Sequence, residues 1–209
     1  DNHICGRGGT PRMDAQEGGA AWVYNANNTS VEVTEANFPI RITKFGFLPS
    51  SGGPGKYRGG LCTYREFEVL APEVSLTFRS DRRQFQPWGL MGGGPGRNSD
   101  VYLIRDGKKE SLPAKFTMNL KQGDRLHSIM QSGGGYGNPL ERDPDLVLKD
   151  YVDEKIDVDH ARTDYGVVLD EETETVNAVE TERFRRHRRA DGSRSAGSDV
   201  AGAATPSQE

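Results

Sequence analysis

A glycine-rich loop that runs directly into a helix start constrains this 209-residue chain more than any other segment. Four of the five residues from 133 to 137 are glycine, so the backbone there can take positive φ angles and approach other groups closely. Tyr136 is the one large side chain among them. Asp143 followed by Pro144 is typical of a helix N-cap and a first helical residue. The sequence therefore predicts a glycine-dependent turn that leads into a helix ending near Glu154.

Four sequence blocks occur in the order found in a known protein family. The segment 132–144, SGGGYGNPLERDP, resembles the C-terminal end of the hydantoinase B/oxoprolinase family. Residues 51–61, SGGPGKYRGGL, resemble a signature of the same family. Residues 79–83, RSDRR, and residues 87–93, PWGLMGG, resemble its next two blocks. The resemblance covers about two thirds of the chain.

The resemblance implies a function that needs other polypeptides. Enzymes of this family use ATP on a partner A-type subunit to activate a cyclic amide or a carboxyl-type substrate, which is then hydrolysed or carboxylated. The chain is thus expected to be the C-terminal part of a B-type subunit that contributes to ATP-dependent hydrolysis of a hydantoin-like or 5-oxoproline-like substrate. The expected partners are the A-type subunit, the N-terminal half of the B-type subunit and a small-molecule substrate.

The same resemblance implies where the cofactors lie. ATP is expected on the partner subunit. The family's metal-binding acidic and histidine residues lie in an N-terminal half with an NDPY-type motif that this sequence lacks, so a metal is expected in that half and none in this chain. No catalytic residue is therefore carried over. Because the first residue is Asp1 rather than Met, we expect a processed subunit or part of a longer chain, inactive alone.

Two alternatives to this function remain open. The chain could be a non-catalytic assembly module that docks the ATP-using subunit, or part of a related ATP-dependent ketone carboxylase. A third and weaker interpretation is nucleic-acid binding by the basic run 183–189. The formal net charge of −4 argues against nucleic-acid binding by the main body.

Composition favours a mainly β fold. Hydrophobic residues make up 33% of the chain while 26 residues are glycine, which is typical of a turn-rich β architecture rather than a helical bundle. We expect an antiparallel sandwich or barrel-like body with a small C-terminal helical appendage and a disordered tail. No apolar run reaches membrane-spanning length, so a soluble, cytoplasmic protein without membrane contact is expected.

Composition and patterning also divide the chain into five predicted segments. In the fourth segment, residues 171–189, acidic residues come before basic ones, which matches the direction of a helix macrodipole. The last segment is rich in Ala, Gly and Ser, as disordered tails are. The segments are an irregular lead-in at 1–20, a β-rich body at 21–138, a helical appendage at 139–170, a charged helix candidate at 171–189 and a disordered tail at 190–209.

Alternation of apolar and polar residues predicts the strands of the body. The runs at 63–70 and 74–79 are joined by a three-residue link, so they are predicted to pair with each other. Asp106–Gly107 is a strong hairpin signal, and its flanking strands should pair. The short runs Ala21–Tyr24 and Val31–Val33 are β-prone. Further strands are predicted near 40–47, 101–105, 108–112, 116–120 and 125–130.

The charged loop after the 74–79 strand holds the first group of candidate binding residues. It contains Arg79, Asp81, Arg82 and Arg83, and the guanidinium groups could grip a carboxylate of a substrate or partner in bidentate geometry. The alternative is that Asp81 pairs with Arg82 or Arg83 to fix the loop, while Trp88 caps one end of the body.

His127 and the glycine loop are the other candidates. His127 could be a base, or a hydrogen-bonded surface residue of its strand. The amides of Gly133, Gly134 and Gly135 could line an anionic pocket beside Tyr136, as backbone nests do. Alternatively, these glycines make a sharp strand-to-helix connection and Tyr136 covers the core; the lysine of a phosphate-binding P-loop is absent.

Two further pairs of residues bear on binding. Lys56 and Arg58 could hold an anionic group, or they could be solvated residues of a hairpin. Cys5 and Cys62 are far apart and form no CxxC pair, so neither a zinc site nor a redox motif is supported. Two reduced thiols are expected, with Cys62 half-buried in a strand.

Overall fold

The computed structural model describes residues 3–19 and 28–196, with side chains described as far as residue 190. The described residues form a mainly antiparallel β fold with four helices, and the sheets do not close into a barrel. The elements are α1 Val31–Asn37, β1 Ile40–Phe47, β2 Thr63–Val69, β3 Glu73–Arg79, β4 Asp100–Arg105, β5 Lys108–Ser111, β6 Lys115–Lys121, β7 Arg125–Ile129, a 3₁₀ turn at Pro139–Glu141, α2 Pro144–Val152, α3 Val158–Thr163, β8 Leu169–Asp170, β9 Thr175–Val176 and α4 Ala178–Ala196.

The main sheet has five strands in the order β1-β2-β7-β4-β5, with antiparallel neighbours throughout. The register of β1 shifts between Ile42 and Lys44, as it does at a β-bulge. The predicted hairpin between β4 and β5 is confirmed. Asp106 and Gly107 both have positive φ angles, as a tight two-residue hairpin turn requires.

The predicted pairing between the 63–70 and 74–79 strands is wrong. Strand β2 pairs with β1 on one edge and with β7 on the other, so both of its edges are filled. Strand β3 instead pairs with β6 in a separate two-stranded sheet. The link between β2 and β3 therefore carries the chain from one sheet to the other, which a short loop between two alternating strands does not reveal.

The main hydrophobic core lies where the β3–β6 pair packs against the five-stranded sheet. Six residues of this core are buried, and the apolar side chains of β3 and β6 contact them. Phe78 and Phe116 face each other across the pair with ring centroids 5.4 Å apart. The buried residues are Val69, Val101, Leu103, Leu112, Leu120 and Leu126.

The C-terminal helical part has a second core of its own. The predicted start of α2 is confirmed, since the Asp143 side chain accepts a hydrogen bond from the amide of Asp145 and Pro144 is the first helical residue. Helix α4 covers the later part of the charged helix candidate at 171–189, whereas the strand β9 and its turn occupy the earlier part. Helix α4 continues to Ala196, into the tail that was predicted to be disordered from residue 190, and the rest of that tail, residues 197–209, lies outside the described residues. The second core consists of Val147, Ile156, Ala161, Tyr165, Val167 and Leu169.

Local capping overrides β propensity near the start of the body. Val31–Val33 is the beginning of α1 rather than a strand, because the Ser30 side chain accepts a hydrogen bond from the amide of Val33 and caps the helix. The predicted strand at Ala21–Tyr24 lies outside the described residues.

Cys62 is fully buried just before β2, rather than half-buried within a strand. Within the described residues, no helix is both long enough and apolar enough to cross a membrane.

Candidate functional site

Glycine-rich segments from four distant parts of the chain lie against one another, and together they are called the glycine lattice here. The amide of Gly133 donates to the carbonyl of Gly60 at 3.0 Å, and the amide of Gly53 donates to the carbonyl of Gly133 at 2.8 Å. A Cβ atom on Gly133 would overlap the carbonyl of Arg7. At Gly133 the close approach of the two backbones therefore excludes a side chain. The lattice comprises residues 6–9, 52–60, 89–96 and 133–137.

The candidate glycine loop is held inside this lattice. The amide of Tyr136 donates to the carbonyl of Tyr57 at 2.9 Å, and the amide of Tyr57 donates back to Tyr136 at 3.0 Å. The amide of Gly135 donates to the carbonyl of Gly94. Because the amides of residues 133, 135 and 136 all donate to backbone carbonyls, the loop does not fit a cradle for the phosphates of ATP. The bonds support the interpretation of a glycine-dependent connection.

Two buried arginines form the centre of an arginine–carboxylate cluster beside the lattice. Arg142, which is 1% exposed, donates to both oxygens of Asp14 at 2.6 and 2.7 Å and to Asp150 at 2.7 Å. Arg58, also 1% exposed, donates to Glu17 at 2.7 Å and to Asp150 at 3.3 Å. The cluster joins three parts of the chain: the lead-in through Asp14 and Glu17, the lattice through Arg58, and helix α2 through Asp150.

The electrostatics of the cluster favour its charged form. Burial opposes the charge on Arg142, but the hydrogen bonds and charge of Asp14 and the charge of Asp150 outweigh it and raise the pKa of Arg142. Burial would likewise raise the pKa of Asp14, yet the hydrogen bond and charge of Arg142 lower it below its ordinary value. The same balance with Arg58 lowers the pKa of Glu17.

The prediction of a solvated Arg58 is wrong, and its guanidinium binds the chain's own carboxylates. The lead-in segment and helix α2 fold over the 52–60 segment and cover this side chain, so its burial depends on residues up to 92 positions away. Lys56, by contrast, is exposed as a hairpin residue would be. Sequence reasoning also missed Asp14, Arg142 and Asp150, and a buried arginine carries no local pattern that would identify it.

The charged loop does not bring its guanidinium groups to one point. Arg83 donates to Asp100 and, at 2.7 Å, to Ser111. Arg82 has a positive φ angle and lies over the ring of Trp88, 4.9 Å from its centroid. Asp81 does not pair with Arg82 or Arg83, as the alternative interpretation expected. Its exposed carboxylate instead pairs with Lys115 at 3.7 Å.

This loop borders an open groove of about 650 Å³, which residues 80–85 and 111–115 line. Arg79 lies opposite Lys115 in the β3–β6 ladder, so two cations stand at this edge of the pair. Trp88 is exposed and does not cap the end of the body as expected. The groove and its cations are a site that an anionic or acidic group could approach from solvent.

His127 lies in a row of polar side chains across the five-stranded sheet. Its ring is stacked between the rings of Tyr64 and Tyr102, at centroid distances of 5.8 and 4.7 Å. Its Nδ1 atom lies 3.3 Å from the carboxylate of Glu66, which stands opposite it in the β2–β7 register. The expectation of a hydrogen-bonded strand histidine holds, but His127 is buried rather than on the surface. Glu66 could be found only once the strand pairing was known.

A pH-dependent stability follows from the two histidines on either side of this sheet. Burial lowers the pKa of His127 although Glu66 opposes the shift. Burial, with the charges of Arg65 and His127, lowers the pKa of His3 to about 3. Histidines of the unfolded chain titrate near 6.5. Between pH 5 and 7 the unfolded state therefore binds more protons than the native state, and stability must fall as the pH falls.

Denaturant unfolding at pH 5 and pH 7 is the measurement that checks this expectation. We expect His3 alone to make the free energy of unfolding roughly 1–2 kcal/mol lower at pH 5. The replacement His3→Gln should reduce the difference in the free energy of unfolding between pH 5 and pH 7. The interval above pH 5 is chosen because unfolded carboxylates titrate near pH 4. Equal stability of the wild-type chain at both values would contradict the burial of these imidazoles.

Within residues 3–19 and 28–196, no three His, Cys, Asp or Glu side chains come close enough together to hold a metal ion. Both cysteines are free thiols. Burial raises the pKa of both Cys5 and Cys62, which disfavours the reactive thiolate form.

Comparison with known proteins places these features in a family. Residues 1–139 match the family described as hydantoinase B/oxoprolinase. An uncharacterized protein of Methanocaldococcus jannaschii is 40% identical over 160 residues, which are 76% of this chain and 28% of that protein. A Pseudomonas protein, named as the B-type subunit of a D-/L-hydantoinase, is 33% identical over 185 residues, 87% of this chain and 30% of that protein.

The fold also matches a solved structure. The nucleotide-free structure of an acetone carboxylase, described with ATP-dependent acetone carboxylation, superposes with a TM-score of 0.80 at 21% identity, over 97% of this chain and 31% of that one. The chain thus spans less than a third of the length of each of these proteins. The glycine lattice lies within the matched residues 1–139. By the match of its sequence to the family over most of its length, the chain belongs to the hydantoinase B/oxoprolinase family.

Proposed function

We propose that this chain is the C-terminal part of a B-type subunit and contributes to ATP-dependent hydrolysis of a cyclic amide. The observation that carries the proposal is the glycine lattice, which lies in the part of the chain that matches the family. Its amides and the two buried arginines bond to groups of the chain itself. Such a region supplies a rigid scaffold, on which catalytic groups from other polypeptide can be held in place.

The proposed partners follow from the length of the relatives. The chain spans 28% and 30% of two relatives, so in them the matched region is joined to a much longer polypeptide. We assign ATP to an A-type subunit, because the glycine loop does not fit a cradle for its phosphates. We assign the metal to the longer polypeptide that adjoins the matched region. We further propose that the five-stranded sheet and the β3–β6 pair are the two layers of a β-sandwich, and that the C-terminal helices are an appendage to it.

The substrate assignment rests on the relatives' names. Hydantoin is a cyclic amide, and a protein named as part of a hydantoinase is 33% identical to this chain. A ketone carboxylase component is the second candidate, favoured by the likeness in fold to an acetone carboxylase. A non-catalytic assembly module is favoured by exposed apolar side chains in residues 85–91. All three proposals use the chain inside a larger complex.

Reconstitution with and without this chain is the experiment that separates these candidates. The tagged chain is co-purified with its A-type subunit and the remaining B-type polypeptide, and hydantoin, 5-oxoproline and acetone are each supplied with ATP. We expect ring opening coupled to ADP formation only when the chain is present. Acetone carboxylation instead would support the second candidate. Full hydrolysis by a complex that forms without the chain would contradict a contribution to catalysis.

A further inference from the structure

Four large apolar side chains stand exposed within seven consecutive residues, and they are called the apolar loop patch here. Phe85, Trp88, Leu90 and Met91 are between 55% and 76% exposed. Single exposed hydrophobic residues are ordinary, whereas a concentration of them marks a surface that contacts another molecule. Aromatic residues and methionine are also the types enriched at protein interfaces. The patch is therefore more typical of an interface than of a solvated loop.

The backbone that carries the patch is fixed by the glycine lattice. The amide of Leu90 donates to the carbonyl of Gly135 at 2.9 Å, and the carbonyl of Leu90 accepts from the amide of Gly137 at 2.9 Å. The amide of Gly96 donates to the carbonyl of Pro87 at 2.8 Å. The patch cannot turn inward without breaking these bonds. A surface held in this way loses little conformational entropy when a partner binds.

The charge around the patch indicates the chemistry of its partner. Arg82 lies over the ring of Trp88, and Arg79 and Lys115 stand opposite each other at the nearby end of the β3–β6 pair. The carboxylate of Asp81 lies beside one of these cations, 3.7 Å from Lys115. A partner with an apolar pocket and an acidic rim would complement this surface. A second copy is disfavoured, because twofold symmetry would bring the same cations together.

We propose that the apolar loop patch is the surface on which the remaining polypeptide of the B-type subunit docks, through an apolar pocket with acidic side chains at its rim. The inference rests on the proposed function. Its occupant is chosen from length: this chain covers 30% of the hydantoinase relative, which leaves about 70% of that protein to contact the matched region. Trp88 and Met91 are the side chains that contribute most, since large side chains at an interface centre dominate its binding energy.

A binding assay with matched variants tests the proposal. The tagged chain is co-expressed with the part of the Pseudomonas hydantoinase relative that lies outside the matched region, and the affinity of the recovered pair is measured. We expect the double substitution Trp88→Glu and Met91→Glu to weaken binding at least about 30-fold, as loss of an interface hot spot does. Val179→Glu on α4 is the control, because Val179 is an equally exposed apolar residue, at 78%, outside the patch.

The outcomes are distinct from those of the functional proposal. Both variants should unfold at the wild-type temperature, because the replaced side chains are exposed. Wild-type affinity in the double variant would overturn the proposal, as would failure of the wild-type chain to bind the probe. A dimer of the chain alone that dissociates on Trp88→Glu would assign the patch to a second copy and overturn it too. The assay needs neither ATP nor turnover. A pair that binds but is inactive would therefore contradict the proposed function and leave the proposed docking surface supported.

Discussion

Replacing Arg142 with methionine is expected to lower the free energy of unfolding by roughly 3–5 kcal/mol. The side chain is 1% exposed and donates to both Asp14 and Asp150, so its removal leaves two carboxylates without their main cation. Burying an uncompensated charge costs far more than losing one hydrogen bond. Denaturant unfolding at pH 7, followed by circular dichroism, measures the loss. The loss should be large because the cluster joins the lead-in, the lattice and α2.

Two further variants make the result specific to the buried cluster. Arg142→Lys keeps the charge but not the planar fork that binds both oxygens of Asp14, so an intermediate loss is expected. Lys149→Met removes a cation of helix α2 whose pair with Asp153 is largely exposed to solvent, and no change in the unfolding midpoint is expected. Similar small effects for Arg142→Met and Lys149→Met would show that the cluster is not a structural centre.

Substituting Gly133 with alanine is expected to abolish folding, or to cost more than the roughly 1–3 kcal/mol typical of an overpacked core. The added Cβ atom would overlap the carbonyl of Arg7 and the amide of Gly8. Both clashes are with backbone atoms, so no side-chain rotation can relieve them. Yield of soluble protein and its thermal unfolding temperature measure the effect.

Gly8→Ala is the matched control, because Gly8 lies in the same lattice but has room for a methyl group. The nearest atom to its added Cβ would be the carbonyl oxygen of Gly134, at the ordinary contact distance of 3.7 Å. We expect Gly8→Ala to fold and unfold like the wild type. If both substitutions were tolerated, the lattice would be loosely packed, and its assignment as a rigid scaffold would be wrong.

Local features of the fold were predictable from sequence, because neighbouring residues determine them. The hairpin at Asp106–Gly107 needs only a two-residue turn with positive φ angles, and the start of α2 needs only Asp143 and Pro144. The strands were likewise found from alternation. The pairing of β3 with β6 could not be predicted from alternation. An amphipathic strand such as β3 could pair with either β2 or β6, and only the packing of the two sheets decides between them.

The candidate site was less predictable, because its contacts join residues far apart in sequence. Arg142 and Asp14 are separated by 128 positions, and His127 and Glu66 by 61. The glycine blocks were found from sequence, but whether their amides bind a ligand or one another depends on the tertiary arrangement. For Gly133 and Gly135 the structure places backbone carbonyls opposite the amides. The candidates Arg79, Asp81, Arg82 and Arg83 remain proposals for partner binding.

The lattice, the cluster and the patch together support the proposal that this chain assembles with other polypeptide. The lattice fixes the backbone of the patch at Pro87 and Leu90, and the arginine–carboxylate cluster holds the lattice to the C-terminal helices. The amides of Gly133 and Gly135 and the guanidinium groups of Arg58 and Arg142 bond to groups of the chain itself. The central claim is therefore that this polypeptide is a stable scaffold, and that catalysis begins only after other polypeptide has joined it.

The most direct test is turnover by the purified chain alone. The protein is first shown to unfold cooperatively, and it is then supplied with ATP and either hydantoin or 5-oxoproline while ring-opened product is measured. The account predicts a folded protein with no product above the uncatalysed background, and activity only in the reconstituted complex. Sustained ATP-dependent ring opening by the isolated chain would contradict it.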